Sequence, residues 1–109
     1  MQKSILVSEI KKAVKEGRVR ITDHADEEMA KDKLTYNDVK EAISKGVAIE
    51  SYADDKPFPS CLVYGNHEEK HVHTVCAYSK EDKMMVLITV YIPDADKWIN
   101  YKKRKKVEG

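Results

Sequence analysis

Apolar residues recur three or four apart at Ile5, Leu6, Ile10, Ala13 and Val14, and stop at Gly17. That spacing predicts an amphipathic helix opened by Ser4. A short β-branched piece, Val19-Arg20-Ile21, leads into Thr22-Asp23-His24, where a capping threonine followed by the acidic residues Asp26, Glu27 and Glu28 predicts a second helix ending near Asp32. Thr35, with Asp38 three residues on, opens a third helix whose apolar stripe is Val39, Ala42 and Ile43 and whose stop is Gly46. Beyond Gly46 the pattern changes to alternating or continuous apolar runs over 47–52, 61–64, 72–78 and 84–92, which read as four strands. Their connections are short and rich in turn formers, which favours an antiparallel meander. Pro93 ends the last strand, and Asp94 is placed to cap a brief helix holding Trp98.

The expected fold is therefore α+β, with short N-terminal helices packed on one face of a four-stranded antiparallel sheet and the other face left for function. With 109 residues, 41% of them hydrophobic, the chain supports one core. One domain over 1–100 and a basic tail over 101–109 are expected. Charged residues make up 36% yet nearly cancel, to a formal +1, so net charge names no partner. Their distribution says more, because Lys97, Lys102, Lys103, Arg104, Lys105 and Lys106 stand against the lone acid Glu108 at the C-terminal end. The N-terminal stretch has a three-residue apolar run, too short for a signal-peptide core or a membrane span, so a cytoplasmic protein is expected. Cys61 and Cys76 sit in strand-like segments without CxxC spacing, which suits buried thiols in a reducing compartment.

Four histidines, at 24, 67, 71 and 73, are the candidate chemistry. Imidazole titrates near neutrality, so His24 at a helix start and His73 on a strand are candidates for general acid and base. The plainer account is a helix-terminal His24 and a half-buried His73. His67, His71 and His73 have the outline of a metal site, but 66–70 reads as a solvated hairpin and nothing fixes three convergent ligands, so no metal or cofactor is expected. Tyr91 lies on the last strand. A simple four-residue turn over 79–82 sets His73 opposite Ile88, and a one-residue bulge sets it opposite Thr89, so the sequence leaves open whether Tyr91 faces His73.

The segments ITDHADEEMAKDKLTYNDVKEAISKG, IESYADDKPFPSCLVYG and HVHTVCAYSKEDKMMVLITVYIPDADKW resemble the family described as domain of unknown function 4258, over roughly residues 19–98. Its landmarks here are His24, the proline-bearing stretch over 52–62, His73, and Thr89-Val90-Tyr91 followed by Pro93. The resemblance implies a fold similar to the RelE/ParE-like toxins, an RNA or ribosome target, and a cognate antitoxin as partner; an exposed sheet edge adds a homodimer as a further expectation. It also implies metal-independent RNA cleavage, with His24 and His73 as acid and base and Tyr91 orienting the phosphate. Lys31, Lys33, Lys102, Lys103, Arg104 and Lys105 would then supply positive charge. The alternative is a non-catalytic module binding nucleic acid or protein through its sheet face or basic tail.

Overall fold

A computed structural model describes residues 2–105, with side chains from Leu6 onward; Lys106 of the basic run lies outside the described residues. Three helices lie in the first half of the described residues. α1 (Gln2–Lys15) starts before Ser4, so that serine falls inside the helix and not at its cap. α2 (Asp23–Lys31) is capped as the sequence implies, the Thr22 hydroxyl accepting the Ala25 N–H at 3.1 Å. α3 (Tyr36–Lys45) has a full capping box, with Thr35 accepting from Asp38 N–H and the Asp38 carboxylate accepting from Thr35 N–H, and it ends at Gly46. These reciprocal bonds satisfy donors that a helix start otherwise leaves to solvent.

The expected meander is present as β2 (Val47–Tyr52), β3 (Ser60–His67), β4 (Lys70–Ser79) and β5 (Met84–Tyr91), all antiparallel neighbours. The expectation of four antiparallel strands needs one correction. Val19–Ile21 forms β1 and pairs parallel to β5, giving a five-stranded mixed sheet in the order β1-β5-β4-β3-β2. A three-residue strand carries too little pattern to be read alone. It is held in place from both ends, by Met85 N–H donating to Arg18 and Thr22 N–H donating to Leu87. The expected helix at Trp98 is also corrected. Residues 94–97 form a turn, and Trp98–Ile99 (β6) pairs antiparallel with Lys103–Arg104 (β7) in a small separate hairpin.

Strand alternation divides the sheet cleanly. Cys61, Val63, Val72, Cys76, Met85, Leu87 and Val90 belong to one buried cluster with Ile10, Ala13 and Val14 of α1, Ala25 and Met29 of α2, and Val39, Ala42 and Ile43 of α3. Both cysteines are buried as expected, and burial pushes the Cys76 thiol up to about 12. The opposite face carries Glu50 and Tyr52 from β2, Tyr64 from β3, His71 and His73 from β4, and Tyr91 from β5, as their register requires. No helix among the described residues is long and apolar enough to cross a membrane.

Candidate functional site

The polar sheet face is built around His73, which is fully buried. Its position opposite Tyr91 depends on a bulge. Ser79 pairs with Met84 across the β4–β5 turn, and Ile88 is then an extra residue, so that Val75 faces Thr89 and His73 faces Tyr91. Neither register read from the sequence anticipated this pairing. The bulge is anchored from the helical layer, because the Thr22 hydroxyl donates to the Ile88 carbonyl at 2.9 Å. The residue that caps α2 thus also fixes where the bulge falls, and bulges re-aim the side chains that follow them.

His73 uses both ring nitrogens. Nε2 lies 2.6 Å from the Tyr101 carbonyl oxygen, which only accepts, so Nε2 carries the proton. Nδ1, 3.1 Å from the Tyr91 hydroxyl, is then the acceptor, and Tyr91 donates. The result is a directed chain from the Tyr91 hydroxyl through neutral imidazole to the Tyr101 carbonyl. Burial pulls the His73 pKa below its ordinary value, although the Tyr101 carbonyl and the Glu50 carboxylate oppose that shift. Burial likewise raises the Tyr91 hydroxyl, so both groups stay neutral near pH 7.

The β6–β7 hairpin closes over this pair. Trp98 is buried with its ring edge-on to His73, centroids 4.4 Å apart. Arg104 lies over the Trp98 ring at 4.7 Å and forks onto the Glu50 carboxylate at 2.7 and 3.1 Å. Glu50 also accepts from the Tyr52 hydroxyl, and Arg104 holds its carboxyl below the usual range. A bidentate guanidinium–carboxylate pair fixes orientation as well as charge. Residues 101–105 of the basic run are therefore folded against the sheet, and Arg104 is engaged with protein.

Of the residues singled out from the sequence, His73 and Tyr91 are in contact. His24 is elsewhere, exposed on α2, whose buried Ala25 and Met29 pack into the helical layer. None of the ring contacts or hydrogen bonds of His73 reaches α2. Lys31 and Lys33 are exposed on either side of Asp32, whose carboxylate accepts the Ile92 N–H at 3.4 Å, which sets this turn beside the end of β5. Lys102, Lys103 and Lys105 are exposed on the C-terminal hairpin. The three-histidine arrangement does not form. His71 and His73 share the polar face, but His67 is on the other face, with Asp38 and Glu68. There the Lys70 ammonium is 2.9 Å from Asp38, so the carboxylate already has its cation.

His71, read from the sequence only as part of a histidine cluster, completes the site together with Tyr64, Trp98, Tyr101 and Glu50, which were missed in the sequence. Tyr64 and His71 carried a readable signal, since both alternate onto the same face as His73. The Arg104–Glu50 pair spans 54 positions and has no local signature.

The lowered His73 pKa gives a test of this geometry. An unfolded histidine takes up its proton near pH 6.5, whereas folded His73 takes it up at lower pH. Its contribution to stability is present above that value and is lost as pH falls through the folded pKa. Urea midpoints measured from pH 7.5 to 5 should decline in the parent, and the decline should be shallower in His73→Gln; equal slopes would remove His73 as the group responsible.

A family model described as a domain of unknown function (DUF4258) matches residues 21–92. No curated protein and no solved structure matches the chain.

Proposed function

The chain belongs to the DUF4258 family, and from that premise we propose that it is a toxin-type, metal-independent endoribonuclease with Tyr91 and His73 as its acid–base relay. The observation that carries this reading is the directed chain from the Tyr91 hydroxyl to His73 Nδ1, with Nε2–H held by the Tyr101 carbonyl. In the proposed reaction a ribose 2′-hydroxyl oxygen attacks the adjacent phosphorus. Its proton passes to the Tyr91 oxygen as the proton of Tyr91 passes to His73 Nδ1. The phosphorus–5′-oxygen bond breaks, the departing oxygen takes a proton from solvent, and a 2′,3′-cyclic phosphate remains. The imidazolium formed on His73 has the Glu50 carboxylate nearby, which favours the charge.

Tyr91 is a relay and not a tyrosinate, because burial raises its pKa. Lys31 and Lys33, in the turn that Asp32 ties to the end of β5, are the proposed source of charge for the phosphate, while His24 has no role in this version. Helices on one face of a curved sheet and polar groups on the other suit the RelE-like likeness and an RNA or ribosome-bound target. An antitoxin or second copy would add to the β2 edge, where Val47 is half exposed.

The second reading is a non-catalytic module binding nucleic acid or protein. One observation favours it: both nitrogens of His73 are engaged within the protein and the C-terminal hairpin covers the ring. The deciding experiment is incubation of the purified protein with a mixed RNA transcript in EDTA, alone and with ribosomes, followed by end-group analysis. Fragments ending in 2′,3′-cyclic phosphate are expected. Intact RNA under both conditions leaves the binding module.

A further inference from the structure

Beside His73 the polar face holds three nearly parallel rings. The Tyr64 hydroxyl is 2.8 Å from His71 Nδ1 and the two ring planes differ by 10°. The hydrogen bond ties these two nearly parallel rings into one plate with a polar seam, and Asn66 Nδ2 lies 3.4 Å from the same nitrogen. On this plate lies Tyr101, its ring 3.8 Å from that of His71 with planes 7° apart, and 6° from the plane of Tyr64. Lys102, next in the chain, holds its ammonium 5.9 Å from the Tyr64 ring centroid.

Tyr101 reaches this position at a backbone cost. Its φ is +64°, in the left-handed region that bulky side chains avoid, and the preceding Asn100 is also left-handed, at +52°. The ring stack on His71 and the carbonyl bond to His73 hold it there. A planar ring bound to a flat polar plate, on a short hairpin latched by the Arg104–Glu50 pair, has the character of an occupant that can be exchanged.

We infer that the Tyr64–His71 plate is a stacking site for a base of single-stranded RNA, and that Tyr101 occupies it as the protein's own stand-in until RNA displaces the hairpin. The inference rests on the ribonuclease reading for its choice of RNA and adds to it a subsite and a gate. A nucleobase fits the plate because its π-face tolerates any sequence and its edge can meet the polar seam. Lys102 beside it suits an attached phosphate. The same displacement withdraws the Tyr101 carbonyl and Trp98 from His73, so occupation of the plate and opening of the acid–base pair are one event. With an internal occupant, apparent affinity is the intrinsic affinity multiplied by the fraction of time the plate is open.

The test uses the full chain and a fluorescent 2′-O-methyl RNA dodecamer of mixed sequence, which lacks the attacking hydroxyl and so reports binding without cleavage. Tyr101→Asn removes the ring while asparagine tolerates the left-handed backbone; it should bind the dodecamer about tenfold more tightly than the parent. Glu50→Gln, which loosens the Arg104 latch without touching the plate, should shift affinity the same way. Adding His71→Ala to Tyr101→Asn should abolish the gain. In the parent, binding should increase acrylamide quenching of Trp98 as the hairpin lifts. Unchanged or weaker binding by Tyr101→Asn, or binding that leaves Trp98 shielded, overturns the inference. Tight binding by Tyr101→Asn while unmodified RNA stays intact keeps the stacking site and removes the ribonuclease reading. Cleavage without any gain in Tyr101→Asn does the reverse.

Discussion

Gly65→Ala is expected to be the most destabilising single-methyl change in the chain. A β-carbon at Gly65 would sit 1.9 Å from the Ala42 carbonyl oxygen, 2.5 Å from its carbonyl carbon and 2.7 Å from its Cα. All three are backbone atoms of α3, so no side-chain rotation relieves the clash. The helix must move off β3 by an ångström or more, and α3 supplies Val39, Ala42 and Ile43 to the core. Overpacking a tight core typically costs about 1–3 kcal/mol and more where backbone must shift, so a loss of about 3 kcal/mol is expected. For a domain of this size that lowers the melting temperature by on the order of 15 °C. Gly17→Ala is the contrast. Nothing lies within 4 Å of its added carbon, and its φ of +76° costs only about 1 kcal/mol. Circular dichroism melts of the two variants should separate clearly, and a Gly65→Ala melt close to the parent's would mean that α3 does not rest on β3 as described.

The helices and the meander were legible because their signals are local. Thr22, Thr35 with Asp38, and Gly46 act within a few residues of themselves, and they do in the structure what their spacing implies. Features set by distant partners were not legible. β1 is a strand only because β5 offers an open edge to three residues that resemble a connection. The His73–Tyr91 pairing depends on an extra residue at Ile88, stabilised by a threonine 66 positions away. Trp98 follows a proline and a capping aspartate, which reads as a helix start; the Asp94 carboxylate does accept the Asp96 N–H at 2.9 Å, but the segment turns once and goes on as a strand. The basic run reads as a solvated tail because lysine-rich ends usually are. What folds it back is a buried tryptophan, a tyrosine stacked on His71 and one arginine matched to Glu50, none of which leaves a pattern along the chain. The candidate chemistry was thus legible as a set of residue types and only in part as a constellation: His73 and Tyr91 meet, His24 does not join them, and the covering hairpin was absent from the reading.

Tyr91→Phe is expected to cut RNA cleavage by on the order of 10²–10³-fold while leaving the fold intact, and His73→Ala by as much or more, in keeping with the usual contribution of a positioned acid or base. The two changes differ physically. Phenylalanine keeps the ring that packs edge-on against His73, with centroids 5.2 Å apart, and removes only the hydroxyl that donates to Nδ1. The freed Nδ1 lone pair then lacks its donor, a modest stability cost of about 1 kcal/mol. Alanine at 73 instead empties a fully buried position beneath Trp98 and strands the Tyr101 carbonyl, so a stability loss will accompany any loss of activity. His73→Gln, which can still donate toward that carbonyl, separates the two effects. If the relay operates, the double variant Tyr91→Phe/His73→Gln should be no slower than the worse single variant, because two groups that pass one proton act as a unit. Single-turnover cleavage in EDTA measures all of these, with His24→Ala as the variant expected to cleave at the parent rate. Additive losses in the double variant would mean that Tyr91 and His73 act separately, and full activity in Tyr91→Phe would remove the relay while leaving His73 to act alone.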